Sequence, residues 1–191
     1  MTDIQSDVFT IVPEPITPEA FAPFGEVVSV EATPKLPIDL YNGLNAIHGP
    51  MLLEADEPVE FIYFRVGYRG GDIRYLERHH GVTQTFIPLG GIPFVSVVAA
   101  PDAPLADGFP DFAAVRAFLV PGDAVLNIRR GTWHEPPFPT QDGQKFFISS
   151  TPGVTKGLQS AVNADGEVHK LDVDKRNPVF RTGRRLRVEM P

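Results

Sequence analysis

The chain has 191 residues, with 17 Lys plus Arg against 24 Asp plus Glu, and no cysteine. That length suits one domain with a sizeable core, and the net charge of −7 argues against nucleic acid as a partner. The lack of thiols excludes a disulfide framework, a cysteine nucleophile and a thiolate metal site, so any metal must sit on imidazole, carboxylate or amide groups. The opening residues MTDIQSDVFTIVPEP show no basic stretch followed by an apolar run, and no segment is apolar over a membrane's thickness. A cytoplasmic protein with no membrane partner is expected.

Twenty prolines and seventeen glycines cut the chain into short runs. VFTIV reads as a first strand. In ITPEAFAPFG, Thr17 is placed to cap a helix, Pro18 to start it and Gly25 to stop it after one or two turns. GEVVSV is a second strand. Residues 31–58 mix proline, glycine and polar residues and read as a long loop excursion, a place where function often sits. His48 lies within it as a candidate lid. VEFIYFRV, DIRYLERHH, TQTFIPL and FVSVVAA follow as strands, with Gly70-Gly71 and Gly90-Gly91 as hairpin turns. PDFAAVRAFL is predicted to form a short helix before the Pro121-Gly122 turn, and AVLNI and KFFIS are the last strands. Residues 158–191 read as a C-terminal extension. There Lys175, Arg176, Arg181, Arg184, Arg185 and Arg187 form either a phosphate grip or a solvated or subunit-contacting surface. Many short strands, few helices and no internal repeat predict a single all-β domain over 1–191, a sandwich or barrel. No Walker or dinucleotide fingerprint appears, so no nucleotide cofactor is expected.

Side chains on a strand alternate faces. Read as one strand, DIRYLERHH puts Ile73, Tyr75, Glu77 and His79 on one face and Arg74, Leu76, Arg78 and His80 on the other. A carboxylate on an otherwise apolar face is costly unless paired, protonated or bound to a cation. After the Gly81 turn, Gln84 starts a strand that can return beside His79. About fifty residues later, PGDAVLNIRRGTWHEPPFP places Trp133, His134 and Glu135 behind a glycine turn. Glu77, His79, Gln84 and His134 together make a nitrogen–oxygen set suited to Ni, Mn, Fe or Zn. The alternative is a buried polar network without metal. His134, Glu135 and His79 are the candidates to move protons. Arg78, Arg129 and Arg130 are candidates to bind a carboxylate, with surface salt bridging as the alternative for each. Trp133 and Tyr75 are candidates for the wall that contacts a substrate.

The segments LERHHGVTQTFIPLGG, RAFLVPGDAVLNIRRGTWHEP and TPEAFAPFGEVV, in that family's order from about Thr17 to Ile148, resemble the ureidoglycolate lyase family of the cupin superfamily. YNGL at 41–44 is a weaker echo. The resemblance implies a cupin-type double-stranded β-helix, or jelly-roll barrel, with a few short helices, and a homodimer. It implies cleavage of ureidoglycolate, a small carboxylate substrate, to glyoxylate and urea in allantoin and purine catabolism, with a divalent metal that some descriptions of the family give as nickel. Four departures stand out. His79-His80 replaces a His-Pro, and Glu135 replaces a second histidine. No arginine precedes Ile47-His48, and Ser150-Thr151 stands where the family has Asp-Arg. These keep two alternatives open: a cupin enzyme acting on a different small hydroxy, keto or sugar acid, or a small-ligand-binding cupin without catalysis.

Overall fold

The computed structural model describes residues 7–160 and 165–191. Two β-layers face each other. One has five strands in the order Gly25–Val28, Val125–Ile128, Gln84–Leu89, Gln144–Ser150, Glu60–Val66. The other runs Val168–Lys170, Val173–Arg176, Leu76–His79, Trp133–His134, Phe94–Ala99, Arg116–Val120, Glu14–Pro15, with Phe138–Pro139 also beside Phe94–Ala99. Phe86, Leu126, Ile128 and Phe146 from the first layer meet Phe94, Val98, Phe118 and Val120 from the second, all buried. This is the all-β, cupin-like jelly roll that the sequence predicts.

A second core lies behind the larger layer. There Val8–Ile11, Arg185–Val188 and Asp72–Ile73 form a three-stranded sheet whose Ile11, Ile73, Leu186 and Val188 pack on Leu76, Val95, Val97 and Trp133. The strand Phe94–Ala99 is therefore buried on both faces, which is why its sequence shows no polar alternation apart from Ser96.

The four-residue helix Pro18–Phe21 forms where expected, its Thr17 hydroxyl accepting from the Ala20 N–H at 3.1 Å. It delivers Phe21 and Phe24 edge-on to Phe118. Three expectations change. PDFAAVRAFL is not a helix. Asp111 caps only a 3₁₀ turn, Phe112–Ala114, and Arg116–Val120 then enters the sheet because its apolar residues fit between the two cores. DIRYLERHH is two strands, interrupted at Arg74-Tyr75, where the chain passes from the rear sheet to the main layer. The 158–191 region is woven into the fold. Val173–Arg176 hydrogen-bonds beside Leu76–His79, and Arg185–Val188 runs parallel to Val8–Ile11.

Residues 31–58 contain only isolated bridges, Lys35 with His48 and Ala55 with Val82. The end of this excursion is tied to the layers by the Asp56 N–H to the Gly81 carbonyl at 2.8 Å and by the Asn127 amide to the Leu52 carbonyl at 2.9 Å. A helix, Pro152–Gln159, capped by the Thr151 hydroxyl, packs Val154 against Val168 and Val173.

Candidate functional site

Four neighbouring strands build the site. In the larger layer, His134 stands directly across from Glu77, and Lys175 stands across from Glu77 on its other side. Residues opposite one another in an antiparallel pair share a face, so Lys175, Glu77 and His134 form one row across the sheet. His79 lies two residues from Glu77 on the same face. Gln84 reaches in from the opposite, five-stranded layer.

Glu77, His79 and His134 are all buried, and each offers one ligand atom within 4.8 Å of the others. The Nδ1–H of His134 donates to the Thr132 carbonyl at 2.9 Å, which leaves Nε2 with its lone pair 2.7 Å from the Gln84 Oε1. Burial holds the His134 pKa down at about 4, with His79 adding repulsion, so this imidazole is neutral near pH 7. Burial pushes the Glu77 carboxyl up, but the adjacent His79 outweighs it and Glu77 titrates below the ordinary carboxylate range. The Nε2 of His79 is 3.7 Å from Glu77, and it is buried with no hydrogen-bond partner.

That orphaned nitrogen bears on the two readings of the cluster. A metal-free polar network leaves it unsatisfied, at a cost of about 1–3 kcal/mol. A divalent transition ion satisfies it. Two donors about 2.1 Å from one ion and at right angles to each other stand about 3 Å apart, close to the His134–Gln84 separation. The residues Glu77, His79, His134 and Gln84 therefore fit such an ion.

Two cavities meet at Glu77. One, of about 250 Å³, is lined by Arg69, Tyr75, Glu77, His134, Glu135 and Lys175 among others. The second, of about 270 Å³, is mostly apolar, with Ile62, Phe86, Ile148 and Leu158 on its walls and Gln84 and Ser150 beside Glu77. Glu135 is buried, its Oε1 3.8 Å from the Arg69 guanidinium and its Oε2 without a partner. Burial pushes its carboxyl up to about 8 against the pull of Arg69. It is therefore protonated at neutral pH.

Glu77, His79, Gln84, His134, Glu135 and Tyr75 are thus brought together or line the cavity. The three expected arginines are not. Arg78 lies on the other face, over the Trp133 ring at 4.3 Å, and pairs with Asp174 at 3.0 Å. Arg130 pairs with Asp56 at 2.9 Å, and Arg129 donates to the Ala22 carbonyl at 3.0 Å. Trp133 belongs to the rear core, not to the cavity wall. His80 is exposed, and His48 bonds the Thr33 carbonyl within its own loop. The cations of the site are two that sequence reasoning missed as site residues, Arg69 and Lys175. Arg69 follows a strand in a turn with no local signal of its role. It is fixed by donating to the Pro136 and Pro137 carbonyls and by stacking 4.0 Å over Phe138.

A buried imidazole–carboxylate–amide set in a jelly roll, beside a cavity holding a neutral carboxylic acid and two cations, defines a cupin-type enzyme. The chain belongs to the ureidoglycolate lyase family, whose sequence profile matches residues 8–170. It is 34% identical over 163 residues to the ureidoglycolate lyase of Brucella abortus biovar 1 (strain 9-941), covering 82% of this chain and 91% of that one. It is 35% identical over 151 residues to the ureidoglycolate lyase of Pseudomonas fluorescens, covering 75% and 86%. It is 36% identical over 146 residues to that of Pseudomonas paraeruginosa, covering 73% and 82%.

Proposed function

We propose that the protein cleaves the C–N bond of ureidoglycolate, releasing glyoxylate and urea. The observation that carries this reading is that Glu77 and His134, two members of the buried cluster, line one cavity together with the buried, protonated Glu135. The substrate carries a hydroxyl, a ureido nitrogen and a carboxylate on or next to one carbon. Its hydroxyl must lose a proton as the C–O bond becomes a carbonyl, and its nitrogen must gain one as the C–N bond breaks.

Glu135 supplies the second proton. Its Oε2 is buried and unpartnered, and a neutral carboxyl in that place donates to the departing urea. A carboxylate oxygen of Glu77, the negative member of the cluster, accepts the hydroxyl proton. His134 keeps its Nδ1–H on Thr132 and so presents a lone pair to the cavity side of the cluster, not a proton. A divalent ion held by Glu77, His79, His134 and Gln84 would bind the hydroxyl and lower its pKa. Arg69 and Lys175 line the cavity and offset the negative charge of the substrate.

Incubating the purified protein with racemic ureidoglycolate and following glyoxylate tests the proposal. Glyoxylate and urea in equal amounts are expected. No glyoxylate above background, with and without added Ni or Mn, sinks it.

A further inference from the structure

Residues 171–191 lie beyond the part of the chain that the family profile matches, yet Lys175 stands in the row that contains Glu77 and His134. We infer that Lys175 is the residue that recognises the substrate's carboxylate. This deepens the reading of the cavity as a small-acid site and rests on it.

Four observations point there. Lys175 lines the cavity together with Glu135, Glu77 and His134. Its ammonium lies 4.2 Å from the centre of the Tyr75 ring, a cation–π contact that aims the charge without neutralising it. It has no carboxylate within the 4.0 Å of an ion pair among the described residues. The other cation of the cavity is partly committed, since Arg69 gives one hydrogen from each terminal nitrogen to the carbonyls of Pro136 and Pro137 and stands 3.8 Å from Glu135. Lys175 is thus the cavity cation with its donors unspent among the described residues.

Its position is also fixed from outside. On the opposite face of the same strand, Asp174 pairs with Arg78 and with Arg176, both at 3.0 Å, while Val173 on the Lys175 face is packed with Val154 and Val168. Beneath it, the Tyr75 ring sits against Gly166, where any Cβ would collide with the phenol. A flexible side chain on so constrained a backbone selects by charge and position: an acid whose carboxylate sits next to the reacting carbon reaches it, and a neutral amide of the same shape gains nothing from it.

Glycolate and glycolamide separate these cases, since they share a hydroxyl and differ in the charge beside it. Binding of both is measured by calorimetry on the purified wild-type protein, on Lys175→Met and on Lys175→Arg, with thermal melts to show that each is folded. Wild type is expected to prefer glycolate by at least about tenfold, Lys175→Met to lose that preference, and Lys175→Arg to keep it within about threefold. A Lys175→Met protein that still prefers glycolate overturns the inference, and so does a wild type that does not discriminate. The glyoxylate assay on wild type is independent of this comparison. A protein that discriminates through Lys175 but releases no glyoxylate fails as a ureidoglycolate lyase and still recognises its acid as inferred.

Discussion

Replacing Arg181 with alanine tests how the region beyond 158 is held. Glu167 is only 2% exposed, and Arg181 donates to both its oxygens through Nε at 2.8 and 3.1 Å and again through Nη2. The Asn177 N–H adds a bond at 2.9 Å, and Arg176 stands 3.8 Å away. Stranding a buried charge costs about 3–5 kcal/mol, but Asn177 and Arg176 remain to share it, so a loss of about 2–3 kcal/mol is expected for Arg181→Ala. With a urea slope of about 2.5 kcal/mol per molar, the unfolding midpoint falls by about 1 M. The effect also depends on pH. Burial pushes the Glu167 carboxyl up, but Arg181 and the Asn177 N–H outweigh it and hold it below its ordinary value. A depressed carboxylate contributes stability above its unfolded pKa of about 4.3, and that contribution is lost as pH falls through the folded value. The gap between wild type and variant is therefore full at pH 7 and closes below about pH 4. Equilibrium urea unfolding at pH 7, 5 and 3.5 checks both points. A loss under about 0.5 kcal/mol, or a gap that does not change with pH, refutes the reasoning.

Four further outcomes follow from the same geometry. Elemental analysis of protein prepared without chelators should find about one divalent transition ion per chain, and His79→Ala should lose it; equal metal in both proteins removes the cluster as its holder. Glu135→Gln keeps the shape but not the proton, and its turnover of ureidoglycolate should fall by about 10²–10⁴-fold at unchanged metal content, as steady-state kinetics would show. Phe118→Ala empties a fully buried site between the Phe21 and Phe24 rings and should cost about 3–5 kcal/mol in chemical unfolding. Gly71→Ala should destabilise more than Gly70→Ala despite the positive φ of Gly70, because a Cβ at Gly71 collides with the Val188 carbonyl whereas one at Gly70 meets open space. Comparative thermal melts decide it.

The layers were largely legible because alternation is local. GEVV, QTFIPL and VLNI carry their faces in their own residues, and period two alone put Glu77 and His79 on one side. The break at Arg74-Tyr75 left that pairing intact, since it falls before Glu77. The errors fall where a distant partner decides. RAFL is apolar enough for a helix end, and only its neighbours Phe94–Ala99 and Glu14–Pro15 make it a strand. VDKR and RLRV look like solvated basic chain, because half of each faces outward and the other half meets residues about a hundred positions away. The helix from Pro152 had a readable start in Thr151-Pro152, obscured by the two glycines that let it pack closely. In the site, the grouping of Glu77, His79, Gln84 and His134 follows from spacing, but Lys175 and Arg69 depend on strand register and on a turn, which no nearby residue encodes.

The four candidate ligands come from both layers: Gln84 from one, Glu77, His79 and His134 from the other. Their separation is thus the thickness of the sandwich, which is set further in by Phe94 against Phe146 at 5.1 Å and by the rings around Phe118. The aromatic interior acts as a gauge block for the spacing of these four side chains. Changes of ring size there would widen or narrow the spacing of these four side chains, so a change in the site has a route through the core as well as through the cavity wall.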